Sequence, residues 1–272
     1  MPAMENGEGT SEMAMAEFTN IDTTADSIAC SDIFHVVTDI MGFVLFMHQQ
    51  IPSVLQDITH EFDDLRSEFE ELEVELAKSE VNSKLARRKQ ATRKREVKMG
   101  IRRLEKLVNC ISNLKTALQL MISQTPNVEK ISLVLGPSPL RPLHVYELNF
   151  SQERAVSTDF GRTKVAETLS RKAIRMMISK GTGSDSSGGP TKLFLMVKAP
   201  SCFNLPLHFL PKREFRANRK TVPFRLRFRC RSQGPEMNAQ LNDCHPTATD
   251  FIWFQCRHAI KGLALETTPL ED

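Results

Sequence analysis

The run Asp250-Phe251-Ile252-Trp253-Phe254-Gln255 holds the single tryptophan of this 272-residue chain, close to the C-terminus. In an extended strand Ile252 and Phe254 point to one side, and Phe251, Trp253 and Gln255 to the other. Large groups on both faces predict a strand covered on both sides and needed to complete the fold. Taken alone, the run reads most simply as an ordinary core strand.

The first half of the chain is helical in pattern. Residues 1–29 lack periodic apolar positions and are expected to be disordered. Ser31-Asp32 offers a helix cap, and Ile33, Val36, Val37, Ile40, Phe43, Val44 and Met47 follow at helical spacing until Pro52. Over residues 54–80, Leu55, Ile58, Phe62, Leu65, Phe69, Leu72 and Leu76 form a narrow heptad-like seam set among acids. Residues 84–103 reverse the sign, with ten Lys and Arg facing a single acid, Glu96. The seam resumes at Val97, Ile101, Leu104, Val108 and Ile111 and runs to Met121. Opposite charge blocks on two helical stretches fit a paired hairpin, and equally a solvated connector.

Strands dominate the second half. Residues 131–135 and 143–150 read as two strands joined by a Pro-rich turn after Gly136. Residues 163–179 are helical, and residues 181–190 form a Gly/Ser-rich loop expected to be flexible. Leu193 to Val197 is a continuous apolar run that suits a central strand. Phe224, Leu226, Phe228 and Cys230 alternate with Arg225, Arg227, Arg229 and Arg231, which predicts a half-buried strand with arginines on its outer face. Such a row would discourage edge aggregation, bind phosphates, or meet an acidic protein. Helices first and strands later, with one helix between, predict an α+β domain whose helices pack on one sheet.

Little in the sequence points to catalysis. There is no phosphate loop, no GxGxxG and no GxSxG elbow, and the histidines form no HExxH. An enzyme is disfavoured and no cofactor or metal is expected. Cys244-His245 and Cys256-x-His258 fit no standard zinc spacing, and the six cysteines read as reduced thiols of a cytosolic or nuclear protein. Residues 33–47, the nearest approach to a membrane span, are interrupted by His35, Thr38 and Asp39, so no span is expected. On the helix of residues 163–179, Val165, Ala166, Leu169, Ala173, Met176 and Met177 share one arc and should face the sheet. Ile174 and Ile178 fall outside it, beside Arg171 and Arg175. An apolar spot rimmed by arginines is a candidate protein-docking site, and a wide core stripe is the plainer alternative.

Several short runs resemble the comet family, HORMA-fold adaptors that bind the mitotic-arrest-deficient (Mad) checkpoint protein. Residues 251–255 followed by Lys261-Gly262 resemble its C-terminal signature. Gln49-Gln50-Ile51-Pro52 is similar to the end of its first helix, and Leu133–Leu135 with Gly136 and Tyr146-Glu147-Leu148 to its first hairpin. Phe209 to Cys230 runs parallel to a family segment without a gap, sharing Pro211-Lys212, Arg216 and Cys230. The basic linker before the second helix has a counterpart as well. The matches together span most of residues 31–263.

The resemblance implies a HORMA-like domain over residues 30–265, with three main helices on an antiparallel sheet and the C-terminal strand locked onto its own domain. Residues 54–100 would be a charged insert and residues 266–272 a tail. It implies a non-enzymatic adaptor that binds closed-form HORMA protein and presents it to a pachytene-checkpoint AAA+ ATPase, silencing the spindle checkpoint. Meiotic-axis HORMA proteins are further clients, and the nucleus is the main location, with cytoplasm, kinetochore or meiotic chromosomes. By carry-over, Met47, Arg171, Ile174 and Arg175 bind the client, and Ile178 joins them from the helix geometry. Pro211 and Lys212 face the ATPase, as residues 1–29 would. Phe251, Ile252, Trp253, Phe254 and Gln255 form the lock. The family has an aromatic where this chain has Ile174, and a glutamine where it has Met47. The competing reading is a nuclear coiled-coil nucleic-acid binder using residues 84–103 and 212–231, or a structural protein of the meiotic axis. The arginine face lacks stacking aromatics, which lowers the nucleic-acid reading.

Overall fold

The five consecutive apolar residues Leu193 to Val197 are all buried, as a strand covered on both faces requires. They lie in β6 (Lys192–Pro200), inside an eight-stranded sheet. The structure is a computed structural model that describes residues 18–78, 84–125, 128–150, 154–155, 160–183, 189–216, 220–230 and 250–263. The other sheet strands are β1 (Phe18–Asp22), β3 (Lys130–Gly136), β4 (His144–Phe150), β7 (Phe209–Lys212), β8 (Phe224–Arg229), β9 (Phe251–Cys256) and β10 (Ile260–Lys261). They stand in the order β1-β8-β4-β3-β6-β9-β7, with β10 also on β6. Short β2 (Ile28–Ala29) and β5 (Arg154–Ala155) pair separately.

The chain is thus α+β, and the expected hairpin is present as antiparallel β3 and β4. Its turn needs Gly136, where a Cβ would stand 2.6 Å from the Arg141 carbonyl oxygen. The sheet itself is mixed, not antiparallel: β8 runs parallel to both β4 and β1. The reason is the route of the chain. β7 and β8 lie on opposite sides of β9, β6, β3 and β4, so a crossover connects them and delivers β8 in the same direction. Disorder through residue 29 is also corrected, since residues 18–22 form the edge strand β1 and residues 28–29 form β2. Thr19 and Ile21 are buried in alternation there, a pattern too brief to register in the sequence.

The helices are α1 (Cys30–Met47), α2 (Leu55–Lys78), α3 (Lys84–Gln124) and α4 (Lys164–Ser179). α1 lies between α4 and α3, and α4 also touches β1 while α3 touches β10. Odd-numbered residues of β3 and β6, such as Leu133, Leu135, Leu193 and Leu195, join this helix layer in the main core. Val134, Phe194 and Met196 point the other way and form a small second cluster with Trp253 and Phe215. α1 is the one helix among the described residues long and apolar enough to cross a membrane. Its apolarity has a local cause: Ile33, Val36, Val37, Ile40, Met41, Val44 and Leu45 are all buried in the core.

The charge blocks of residues 54–103 pair as a hairpin of α2 and α3. Glu68 accepts from Arg93 at 2.6 Å and Glu73 from Lys94 at 2.8 Å. Gly100 allows close approach, since a Cβ there would meet Leu65 Cδ1 at 3.2 Å. The seam at Phe62, Leu65, Phe69, Leu72 and Leu76 is half-buried along its length. The last half of α3, from Leu104 onward, returns to the main core. The Gly/Ser-rich loop falls mostly on residues 184–188, and Arg231 and the 266–272 tail likewise lie outside the described residues.

Candidate protein-docking site

α1 and α4 run parallel because their first turns are tied together. Thr163 caps α4, its hydroxyl oxygen accepting from the Ala166 amide at 3.0 Å. The same hydroxyl donates to the buried carboxylate of Asp32, which also accepts from the Ala29 amide at 3.0 Å. Helix α1 therefore begins at Cys30, ahead of the predicted Ser31-Asp32 cap, with Ala29 at the cap and Asp32 acting from the first turn. Arg162 and Asp39 add an ion pair at 2.9 Å on the same seam.

Anchored this way, α4 buries Ala166, Leu169, Ala173 and Met177, with Val165 and Met176 packed beside them. These are the residues of the predicted arc, and they meet α1 and β1, the strand at one edge of the eight-stranded sheet. Lys172 and Lys180 grip β1 through the Asp22 carbonyl and the Thr19 hydroxyl, at 2.8 and 2.9 Å. Outside the arc, Ile178 is 60% exposed, Ile174 is half-buried, and Arg171 and Arg175 are exposed. Arg171 is held to Glu167 one turn earlier. A full core stripe would have buried Ile178, so the apolar spot with its arginine neighbours is a surface feature. Met47 reaches the same end of the helix pair. It is partly buried under the turn that follows α4, where Gly183 (φ 103) leaves room: a Cβ would lie 2.5 Å from Met47 Cγ.

The C-terminal segment is integrated into the sheet. β9 lies between β6 and β7, antiparallel to both, with Trp253 opposite Lys198 on one side and Lys212 on the other. Ile252, Phe254 and Cys256 enter the main core, and Phe254 and Phe203 meet edge to face at 4.9 Å. Trp253 packs on Phe215 at 5.5 Å on the opposite face. Gln255 opens onto a groove together with Pro211, Lys212, Phe215 and Leu140. Pro211 is exposed on β7, the last strand of the path, where it supplies no N–H to the edge.

Gln50 fastens the end of this segment. Gln49 adopts φ 54, and the Gln49 and Gln50 amides turn back to the Phe46 and Leu45 carbonyls, closing α1 in a left-handed cap. That turn aims the buried Gln50 side chain inward. Its Oε1 accepts from the Thr191 amide at 2.7 Å, and its Nε2 donates to the His48 carbonyl at 2.8 Å. The Gln50 carbonyl accepts from Leu263, and Gly262 donates to Thr191, each at 2.8 Å. Gly262 has no room for a side chain, since a Cβ there would overlap Gln50 Oε1. No local signal in the sequence marks Gln50 as this hub.

Other predicted features are brought together differently. The β8 arginines do not form a free row, and β8 is not an edge strand. Arg225 donates to Glu147 at 2.8 Å, the Arg227 guanidinium sits 4.1 Å from the Phe18 ring centroid, and Arg229 faces Asp22 at 3.6 Å. His48, not singled out in the sequence, is buried and shares a hydrogen bond of 2.6 Å with Tyr146. Burial, helped by His144 at 4.1 Å between ring centroids, pushes the His48 pKa down to about 4. Burial also pushes the Tyr146 hydroxyl upward. Cys256 and His258 part company: the thiol is buried and pushed up to about 11, while His258 bonds His208 at 3.1 Å. Among the described residues no three metal-ligating side chains come together. Cys244 lies outside them. No protein-family model matches the chain, and no curated protein is significantly similar to it.

Proposed function

We propose that the chain is a non-enzymatic HORMA-fold adaptor of the comet kind. In this reading it docks a closed-form Mad-type HORMA protein on the outer face of α4 and offers it to a pachytene-checkpoint AAA+ ATPase. The ATPase then returns the client to its open form and silences the spindle checkpoint in the nucleus. Meiotic-axis HORMA proteins are a second client class.

One observation carries the reading. Two runs on which the resemblance rests, Gln49-Gln50-Ile51-Pro52 and Lys261-Gly262, are far apart in sequence and meet at Gln50 and Gly262. Their junction secures the strand that bears the tryptophan. An adaptor of this kind has to be permanently closed, so that one surface discriminates between client conformers by differential affinity. An interior β9 is what such a protein needs. The surface spot at Ile174, Ile178, Arg171 and Arg175, with Met47 at the same end, supplies a docking face of suitable chemistry. Pro211 and Lys212, beside their groove, are left for the ATPase. The nucleic-acid reading is weakened, because three arginines of its segment 212–231, Arg225, Arg227 and Arg229, are committed within the fold.

The test is capture of closed Mad-type client by Ile178→Asp and Ile174→Asp. Ile178 is exposed, so its replacement leaves the fold intact while client capture is lost. Undiminished capture by both variants removes α4 as the docking face.

A further inference from the structure

The α2–α3 hairpin carries a surface that the adaptor reading does not use. Its inner charges are spent within the hairpin: Glu68 pairs with Arg93 and Glu73 with Lys94, and Glu75 accepts from the Gln90 amide at 3.4 Å. Its outer charges are segregated. Asp64, Glu70 and Glu71 are exposed on α2, and Arg88, Arg95 and Arg102 are exposed on α3. None of these six forms an ion pair among the described residues. Val74 and Met99 are 49% and 66% exposed on the same outer faces. Along one side of the hairpin, a cleft with Phe69 and Ile101 at its floor is walled by Glu70 and Glu73 from one helix and by Lys98 and Arg102 from the other.

We propose that this hairpin is a self-association module: the acidic outer face of α2 in one copy meets the basic outer face of α3 in the next. The two outer faces point away from each other, so the contact is heterologous and continues from copy to copy. The charge balance argues for a second copy over a phosphate backbone. Residues 55–103 hold twelve Lys and Arg against eleven Asp and Glu, so the hairpin as a whole is nearly neutral. A polyanion drawn to α3 would feel the α2 acids about one interhelical distance away, roughly 8–10 Å, which is within the physiological screening length. A partner with the same segregated charges meets attraction on both faces. The hairpin is also placed for it. α3 has 41 residues and is about 60 Å long, and its contact with the main core begins only at Leu104.

Sedimentation velocity of the full chain provides the test. At low salt the protein sediments as dimers and larger assemblies, and at about 1 M salt, with a screening length of about 3 Å, as a monomer. Asp64→Lys with Glu70→Lys and Glu71→Lys makes one all-basic hairpin. Arg88→Glu with Arg95→Glu and Arg102→Glu makes one all-acidic hairpin. Each variant alone has its self-association weakened roughly a hundredfold, and an equimolar mixture of the two restores salt-sensitive mixed assemblies. Helical content by circular dichroism reports whether the hairpins remain folded. A monomer at low salt, or a mixture that stays monomeric while both hairpins are folded, overturns the proposal. So does a monomeric wild-type chain that binds a duplex DNA probe and loses that binding in the acidic variant, which assigns the basic face to phosphates.

Discussion

Replacing Gly262 by Ala should unfasten the C-terminal segment, and the effect should vanish if Gln50 is already truncated. A Cβ at residue 262 overlaps Gln50 Oε1, which is itself 2.7 Å from the Thr191 amide. Gln50 is 2% exposed and cannot yield without giving up its bonds to Thr191 and His48. Each orphaned buried group costs about 1–3 kcal/mol, with the part-buried Thr191 amide at the lower end. Gly262→Ala and Gln50→Ala therefore each cost about 2–4 kcal/mol. They should not add. With Gln50 truncated, the new methyl group occupies vacated space, and the cycle shows a coupling of about 2 kcal/mol. Urea unfolding of the four proteins measures the cycle, and hydrogen exchange at Gly262 and Leu263 shows whether the loss is local to this segment. Costs that add to within about 0.5 kcal/mol would refute the hub, because they would mean that the two residues act independently.

Acid should weaken the end of α1. The His48 pKa is depressed to about 4 in the fold, so the neutral form stabilises the native state. That contribution is complete above about pH 6.5 and is lost as pH falls toward 4, amounting to roughly 3 kcal/mol at most. Urea midpoints across this window should fall more steeply for the wild type than for His48→Gln, and equal slopes would exclude His48 as the cause. Phe18→Ala should cost about 1–2 kcal/mol, because it strips the ring from under Arg227 and loosens an edge strand, and the measurement is thermal unfolding. Pro211→Ala with Lys212→Ala should leave client capture unchanged and stop ATPase-driven client opening, since both side chains border the groove and not α4. Normal opening would reject their assignment.

Periodicity made the β3–β4 hairpin, β6, β8, α4 and the two faces of β9 legible, because each signal is contained within a few residues. The faces of β9 come out as read: Ile252 and Phe254 in the main core, Trp253 on the opposite side. The charge reversal between residues 54–80 and 84–103 left hairpin and connector equally open, and it took Glu68 meeting Arg93 to decide. What local patterns cannot carry is partnership across the chain. β1 gains its identity only from β8, about two hundred residues later, and its Phe18 and Asp22 are what absorb the arginines. Parallel pairing of β8 follows from a crossover that no residue type announces. The same holds for Gln50, an ordinary polar residue made central by a left-handed turn at Gln49 and by the absence of a side chain at Gly262. At the candidate site, the exposure of Ile178 was readable from helical geometry, while the turn covering Met47 was not.

The most direct measurement is titration of the chain with Mad-type client held in its closed or its open form. A permanently closed adaptor with its docking face on α4 should prefer the closed client by at least about tenfold, and Ile178→Asp should abolish that binding. Equal affinity for the two conformers, or failure to bind the closed one, would contradict the account.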